Sequence, residues 1–378
     1  MNNICERKEF ILDMFEKLRV KKIENISTKL SVNPTFMVTR DTDDGETSDC
    51  GKGLTIIDAF YSGLFESIER FSAENYNSVV CEGTAVELKK QYTICSPSDL
   101  YPDQKSADEF FLSWSEGRNL LTKENILVPL ECVKFPIKGK FSDVNTAGLA
   151  SGNTEEGAII HAIYELVEHD TLSIYCYNGL KGRRIKLTEE DGQLFEIYSS
   201  LVEKGIKVDL RLLDNDLKIP TVLALFPDIP TMRDVKIAGM GSNMDVRIAM
   251  KRALLECQQS SDYWHKRYIA NDMEEKGIVR PSLELYEKYG VIDKLVYTNE
   301  LKYYSFQDKG EELEFILEKL SNITEKVIVV NITHNLLSVP CVKVIIPEFE
   351  SSLDDKHLKE RCKLFGEILK NYASRGTA

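Results

Sequence analysis

Three segments of the chain carry the same polar triplet at spacing i−4, i and i+3: Ser62, Glu66 and Glu69; His161, Glu165 and Glu168; Arg252, Glu256 and Gln259. At about 100° per residue each triplet falls within an arc of about 60° on its helix. On the first helix Ile57, Phe60, Leu64, Ile68 and Phe71 take the opposite side, and on the second Ile159, Ile160, Ile163, Leu166 and Val167 do. The acids are therefore expected to face away from the core. A single polar face is ordinary in an amphipathic helix, whereas three matching copies call for a chemical reason. Carboxylates gathered on facing helices repel one another, which raises their pKa values unless a cation sits between them. Mg²⁺ suits such a site, because it binds through a few carboxylates plus phosphate oxygens. Such a site could hold a nucleoside triphosphate without a P-loop: no GxxxxGK[ST] occurs, and GMGS at Gly239–Ser242 reads as a weak glycine turn. A di-iron bundle would need Glu-x-x-His on two helices, which the sequence lacks. His161, Glu165 and His169 form a rival metal stripe, set against the commoner use of such histidines in structural hydrogen bonds.

The elements that must position these residues are interleaved helices and strands. A strongly periodic helix runs from about Leu54 to Ala73, and β-like runs follow at Ile126–Phe135, Lys207–Leu213, Thr221–Phe226, Val235–Met240, Lys326–Thr333 and Cys341–Phe349. The expected fold class is α/β or α+β, with β-sheets packed by helices that converge on an acidic site. Ile11, Phe15 and Leu18 mark an N-terminal helix, followed by a polar stretch from Thr39 to Ser48. Leu358, Cys362, Phe365, Leu369 and Tyr372 mark an amphipathic closing helix. The expected division is an N-terminal helical extension over 1–30, a main domain over 31–350, and a C-terminal helix and tail over 351–378.

With 378 residues, 43% hydrophobic and 29% charged, the chain is long enough for a sizeable core and excludes disordered or low-complexity classes. Its net charge of −13 supplies no basic field for phosphate backbones or anionic lipid, so neither nucleic acid nor a membrane is the expected partner. Nine scattered cysteines offer no CxxC pair, and the N-terminus does not read as a signal peptide. A cytoplasmic, reducing compartment is expected, with thiols that pack as small hydrophobes. Trp114 and Trp264 are expected as packing anchors.

The text resembles the YcaO family. The resemblance rests on GKG at 51–53 with SGLFESIER at 62–70, NTAGLASGNTEEGAIIHAIYELVEHD at 145–170, GMGSNMDVRIAMKRALLECQQS at 239–260, and VPCVKVIIPEFE at 339–350. It implies the YcaO-type fold and an ATP- and Mg²⁺-dependent enzyme that phosphorylates the oxygen of a peptide backbone amide. A nucleophile then attacks the activated carbon, giving an azoline, a thioamide or a macroamidine. The resemblance places Ser62, Glu66 and Glu69 in one nucleotide motif, Asn153, Glu165 and Glu168 in a second, and Glu256 and Gln259 in a third. It makes Glu66, Glu69, Glu165 and Glu168 the Mg²⁺ ligands and leaves the catalytic group unassigned.

Three positions depart from the family pattern. Gly157 stands where a Glu is usual before Ala158, His169 where an Arg follows the second acidic pair, and Ser261 where an Arg commonly follows the third motif. Losing two guanidiniums removes strong phosphate contacts. The sequence ends without the Pro-x-Pro of azoline-forming members and has no room for a fused leader-peptide domain. Among family activities it therefore resembles the TfuA-associated thioamide-forming members. The alternatives are an azoline-forming cyclodehydratase component and a catalytically impaired scaffold that binds a peptide or partner. The implied partners are a peptide or protein substrate and a TfuA-like protein, with a homodimer left open.

Overall fold

The computed structural model describes residues 4–102, 104, 106–137, 139–141, 145–232, 235–269, 294–350 and 359–375. The chain forms two compact units. The first comprises Met1–Ile26, Pro34–Ala162 and Leu313–Pro347; the second comprises Ser27–Asn33, Ile163–Glu312 and Glu348–Ala378.

In the first unit, Val20–Asn25, Thr35–Thr42 and Gly45–Lys52 form a three-stranded antiparallel sheet. The latter two make a hairpin turned at Gly45, whose φ of +125° favours glycine. A second sheet orders Cys81–Gly83, Leu112–Asn119, Ile328–Asn331, Cys341–Ile345 and Leu149–Ser151, with Asn125–Pro129 also paired to Leu112–Asn119. Helix Ile56–Glu74 buries Leu64 and Ile68 in a core with Ile126, Val128, Ile328, Val330 and Cys341. Helix Ile4–Lys17 and the residue after it add Met14 and Leu18 to that core. Within the expected extension over 1–30, Val20–Asn25 is a strand, not helix.

In the second unit, a five-stranded sheet runs in the order Ile237–Ser242, Thr221–Phe226, Asp209–Leu213, Arg183–Lys186 and Leu295–Tyr297. Its pairs are antiparallel except the last, which is parallel. Helix Val246–Ile269 packs on it. The closing helix, Glu360–Arg375, buries Cys362 and packs Phe365 and Leu369 against Leu172, Ile174, Leu213 and Leu223. Leu358, with the rest of 351–358 and 376–378, lies outside the described residues, as does 270–293.

Most expected strands are present but shorter: Ile126–Phe135 resolves into strand Asn125–Pro129 and a 3₁₀ turn, Leu130–Cys132. Trp114 is fully buried, and its indole N–H donates to Gly83 O at 3.0 Å. The glycines of GKG and GMGS serve close packing, not a phosphate turn. A Cβ on Gly51 would lie 2.1 Å from Ala59 O and Gly63 N, and one on Gly241 would lie 2.1 Å from Ala249 O. Backbone cannot yield as a flexible side chain can, so Gly51→Ala should cost about 3 kcal/mol, read as a lowered urea midpoint with an unchanged slope. A midpoint equal to wild type would contradict the contact.

Candidate functional site

Each acidic helix leaves a strand through a short capped turn. Thr55 caps Ile56–Glu74, its hydroxyl accepting the Asp58 N–H at 3.1 Å. Thr154 precedes Glu155–Asn178 and accepts the Gly157 N–H at 3.1 Å, and Asp245 precedes Val246–Ile269 and accepts the Arg247 N–H at 2.9 Å. Side chains that satisfy these first-turn amides fix where each helix starts. Counted from these caps, the eleventh residue is Glu66, Glu165 or Glu256, and the fourteenth is Glu69, Glu168 or Gln259. The fourth and eighth residues are small throughout: Ala59 and Gly63, Ala158 and Ala162, Ala249 and Ala253, all buried. The triplets thus belong to a strand, cap and helix unit used three times, a regularity that cap spacing carries in the sequence and helical periodicity alone does not.

The expected outward orientation of the acids is corrected by their burial. Glu69 is 7% and Glu168 5% exposed, whereas Ile57, assigned to the core side, is 61% exposed. Both carboxylates are buried because they hold strand backbone. Glu69 accepts the Ser151 N–H at 3.1 Å, and the Ser151 hydroxyl donates to Phe65 O at 3.2 Å. Glu168 accepts the Ser242 N–H at 2.6 Å. In both cases the amide belongs to the third residue before the next cap, Thr154 or Asp245. A charge-assisted bond of this kind offsets the cost of burying the carboxylate.

The acids at the eleventh positions are half-buried. In the first unit, Glu66 accepts from Arg70 Nε at 3.2 Å. Burial pushes the Glu66 carboxyl above the ordinary range, with Arg70 pulling it down and the charge of Asp49 pushing it up. In the second unit, Glu165 lies 4.0 Å from His169 Nε2, and Glu256 accepts the Met240 N–H at 3.4 Å. Ser62 and Gln259 are half-buried, and Asn153 is exposed in the turn before Glu155. Behind Glu165, the Tyr164 hydroxyl donates to Glu312 at 2.7 Å and accepts the Met244 N–H at 3.2 Å. Burial and the Glu312 carboxylate push that hydroxyl well above its ordinary value.

Among the described residues no three His, Cys, Asp or Glu side chains are grouped to hold a metal ion, so the His161, Glu165 and His169 stripe is not assembled as one. No three of Glu66, Glu69, Glu165 and Glu168 are so grouped either, but their carboxylate chemistry suits a Mg²⁺ that phosphate oxygens also ligate. A carboxylate whose charge is disfavoured by burial, as at Glu66, gains from an incoming cation. Sequence reasoning missed Arg70 and Asp49, which act on the Glu66 carboxyl in opposite directions beside the larger effect of burial.

A family model described as YcaO cyclodehydratase, ATP- and Mg²⁺-binding, matches residues 50–350. The chain belongs to the YcaO family. ATP and Mg²⁺ are accordingly its family ligands. An uncharacterized protein of Methanothermobacter thermautotrophicus is 29% identical over 372 residues, covering 93% of this chain and 94% of its own. A protein encoded in the tfuA 3′ region of Rhizobium leguminosarum bv. trifolii is 23% identical, covering 82% and 78%. The YcaO structure from Methanopyrus kandleri, bound with AMPPCP and Mg²⁺, matches with a TM-score of 0.77 at 24% identity, covering 93% and 92%. The fold is therefore that of YcaO proteins.

Of the departures from the YcaO pattern, Gly157 is not required by packing: a Cβ there would meet only Thr154 Oγ1, at 3.3 Å. Ser261 is 6% exposed. The raised carboxyl of Glu66 has a measurable consequence. The folded state holds the Glu66 proton more tightly than the unfolded chain, so this group favours folding as pH falls through its raised value and opposes it above. Glu66→Gln should therefore raise stability at about pH 7 and have less effect at about pH 5. Urea unfolding at both pH values reads this, and a variant less stable than wild type at neutral pH contradicts it.

Proposed function

We propose that this chain activates a peptide backbone amide with ATP and Mg²⁺, and that its product is a thioamide. Ser62, Glu66, Glu69, Asn153, Glu165, Glu168, Glu256 and Gln259 would hold Mg-ATP, with Glu66, Glu69, Glu165 and Glu168 nearest the metal. Mg²⁺, when bound, neutralises charge on the transferring phosphoryl group. The residues of the chain supply position. Glu69 and Glu168 fix the strand ends at Ser151 and Ser242, while Glu66, Glu165 and Glu256 present carboxylates that those held helices orient. The amide oxygen attacks the γ-phosphorus and ADP departs. Sulfide then adds to the amide carbon, and phosphate leaves with the former amide oxygen.

The observation that carries this reading is the threefold acidic unit within a matching YcaO domain. The tfuA 3′ region name of one relative supports a TfuA-like partner and, with it, sulfur insertion. An azoline product is the second reading, favoured by the cyclodehydratase description of the family model. Residues 31–350 are the proposed catalytic domain, with 1–30 and 351–378 flanking it. The cytoplasm is the proposed compartment, which suits the eight cysteines that stand as thiols and not disulfides among the described residues. Among the described residues no helix is long and apolar enough to cross a membrane.

Isothermal titration with ATP, with and without Mg²⁺, is the first test. The expected result is Mg²⁺-dependent binding with Kd on the order of micromolar. Absence of binding with a TfuA-like partner present would instead favour the scaffold reading suggested by Gly157, His169 and Ser261. Mass spectrometry of a treated peptide then separates the products: oxygen exchanged for sulfur marks a thioamide, and loss of one water marks an azoline.

A further inference from the structure

A second ionic cluster, outside the proposed nucleotide-binding set, surrounds Asp170 in the second unit. Asp170 is 2% exposed and pairs with Arg361 of the closing helix, whose other guanidinium nitrogen reaches Asp216 at 2.5 Å. The second oxygen of Asp170 accepts the Glu350 N–H at 2.9 Å and the Cys362 thiol at 3.2 Å. Burial and the neighbouring Asp170 carboxylate push that thiol well up, so it remains a neutral donor. Arg361 also lies over the Phe349 ring, 4.8 Å from its centroid.

We infer that Arg361 is a positioning residue for Glu168, holding through Asp170 the helical turn on which Glu168 grips the Ser242 amide. The inference rests on the nucleotide-binding role proposed for Glu168. Glu168 and Asp170 are two residues apart, so they leave the helix about 200° from one another. One side of this turn is tied to strand Ile237–Ser242 and the other to the closing helix and the Glu350 amide. Such a two-sided hold stops the turn from rotating or sliding. Only a planar guanidinium spans two carboxylates in this way; a lysine ammonium is a single point of charge. Without Arg361, Asp170 is a buried carboxylate stripped of its cation, and the turn must shift to hydrate it.

Hydrogen exchange of the full-length protein without nucleotide tests the hold directly. In Arg361→Gln the Ser242 amide should exchange at least about tenfold faster, while the Ser151 amide, held by Glu69, stays within about twofold of wild type. Arg361→Lys should lie between, and it decides the matter where the Gln variant does not fold. Titration with Mg-ATP should give a Kd about tenfold weaker in Arg361→Gln, partly restored in Arg361→Lys. Unchanged exchange at Ser242, equal acceleration at both amides, or an unchanged Kd each overturn the inference. If wild type does not bind Mg-ATP even with a TfuA-like partner present, the proposed function falls, and the contrast between Ser242 and Ser151 still decides whether Arg361 holds this turn.

Discussion

Glu165→Ala should lower ATP-dependent peptide modification by about 100- to 1,000-fold while leaving the melting temperature within about 3 °C of wild type. The asymmetry follows from the two positions in each acidic unit. Glu168 is buried on the Ser242 amide, so its loss would orphan a backbone N–H as well as remove a proposed metal ligand. Glu165 is half-buried, with the His169 imidazole Nε2 4.0 Å away. Its truncation removes a carboxylate proposed to face Mg-ATP and leaves the Ser242 amide held by Glu168. Glu168→Ala should therefore lose both activity and stability, by about 2 kcal/mol in the latter. Phosphate release and Mg-ATP titration on the two variants, beside thermal unfolding, separate the roles. Wild-type turnover by Glu165→Ala would sink the assignment, and equal stability losses in both variants would sink the division of labour.

The triplets were legible because residue type and spacing survive without coordinates, and the strands at Thr221–Phe226 and Cys341–Ile345 were legible because their Val, Leu and Ile runs are buried. The faces were not. Helical periodicity sorts side chains by polarity and assumes that polar means solvated. Glu69 and Glu168 break that assumption, because each spends its carboxylate on a strand amide contributed from far along the sequence. Ile57 breaks it in the other sense, standing exposed at the start of its helix. The hairpin of Thr35–Thr42 and Gly45–Lys52 was hidden for a related reason. Thr39 and Arg40 lie in the stretch from Thr39 to Ser48 that reads only as polar, with Asp49 just beyond it, yet all three are buried in bonds to one another's strand or to the adjoining helix. What the sequence did contain, unused, was the offset of eleven and fourteen from Thr55, Thr154 and Asp245. That offset distinguishes the partly open acid from the buried one.

The same hairpin yields the largest expected loss of stability. Arg40 is 1% exposed; its Nε bonds Asp49 at 3.2 Å and its two terminal nitrogens bond Glu74 at 2.7 Å each. Ser67 donates to the same Asp49 oxygen at 2.8 Å. Arg40→Met fills similar volume but leaves Asp49 buried without its cation, at a cost of about 3–5 kcal/mol, a large share of the 5–15 kcal/mol typical of a folded protein. Urea unfolding measures the loss, and adding Asp49→Leu should recover part of it, because the buried carboxylate is then gone and only the partly exposed Glu74 has lost its Arg40 partner. The single variant also reaches the candidate site. After burial, the charge of Asp49 pushes Glu66 up, and removing the positive charge of Arg40 from beside Asp49 should leave less to offset that charge. In its proposed role Glu66 meets Mg²⁺ ionised, so binding should be lost as pH falls through its pKa, and a higher pKa would move that loss to higher pH. Mg-ATP titrations between about pH 5 and pH 8 should therefore show the acid limb of Arg40→Met displaced upward from wild type. A limb in the same place, with stability reduced as expected, would mean that Arg40 serves the hairpin alone and that Asp49 does not govern the charge of Glu66.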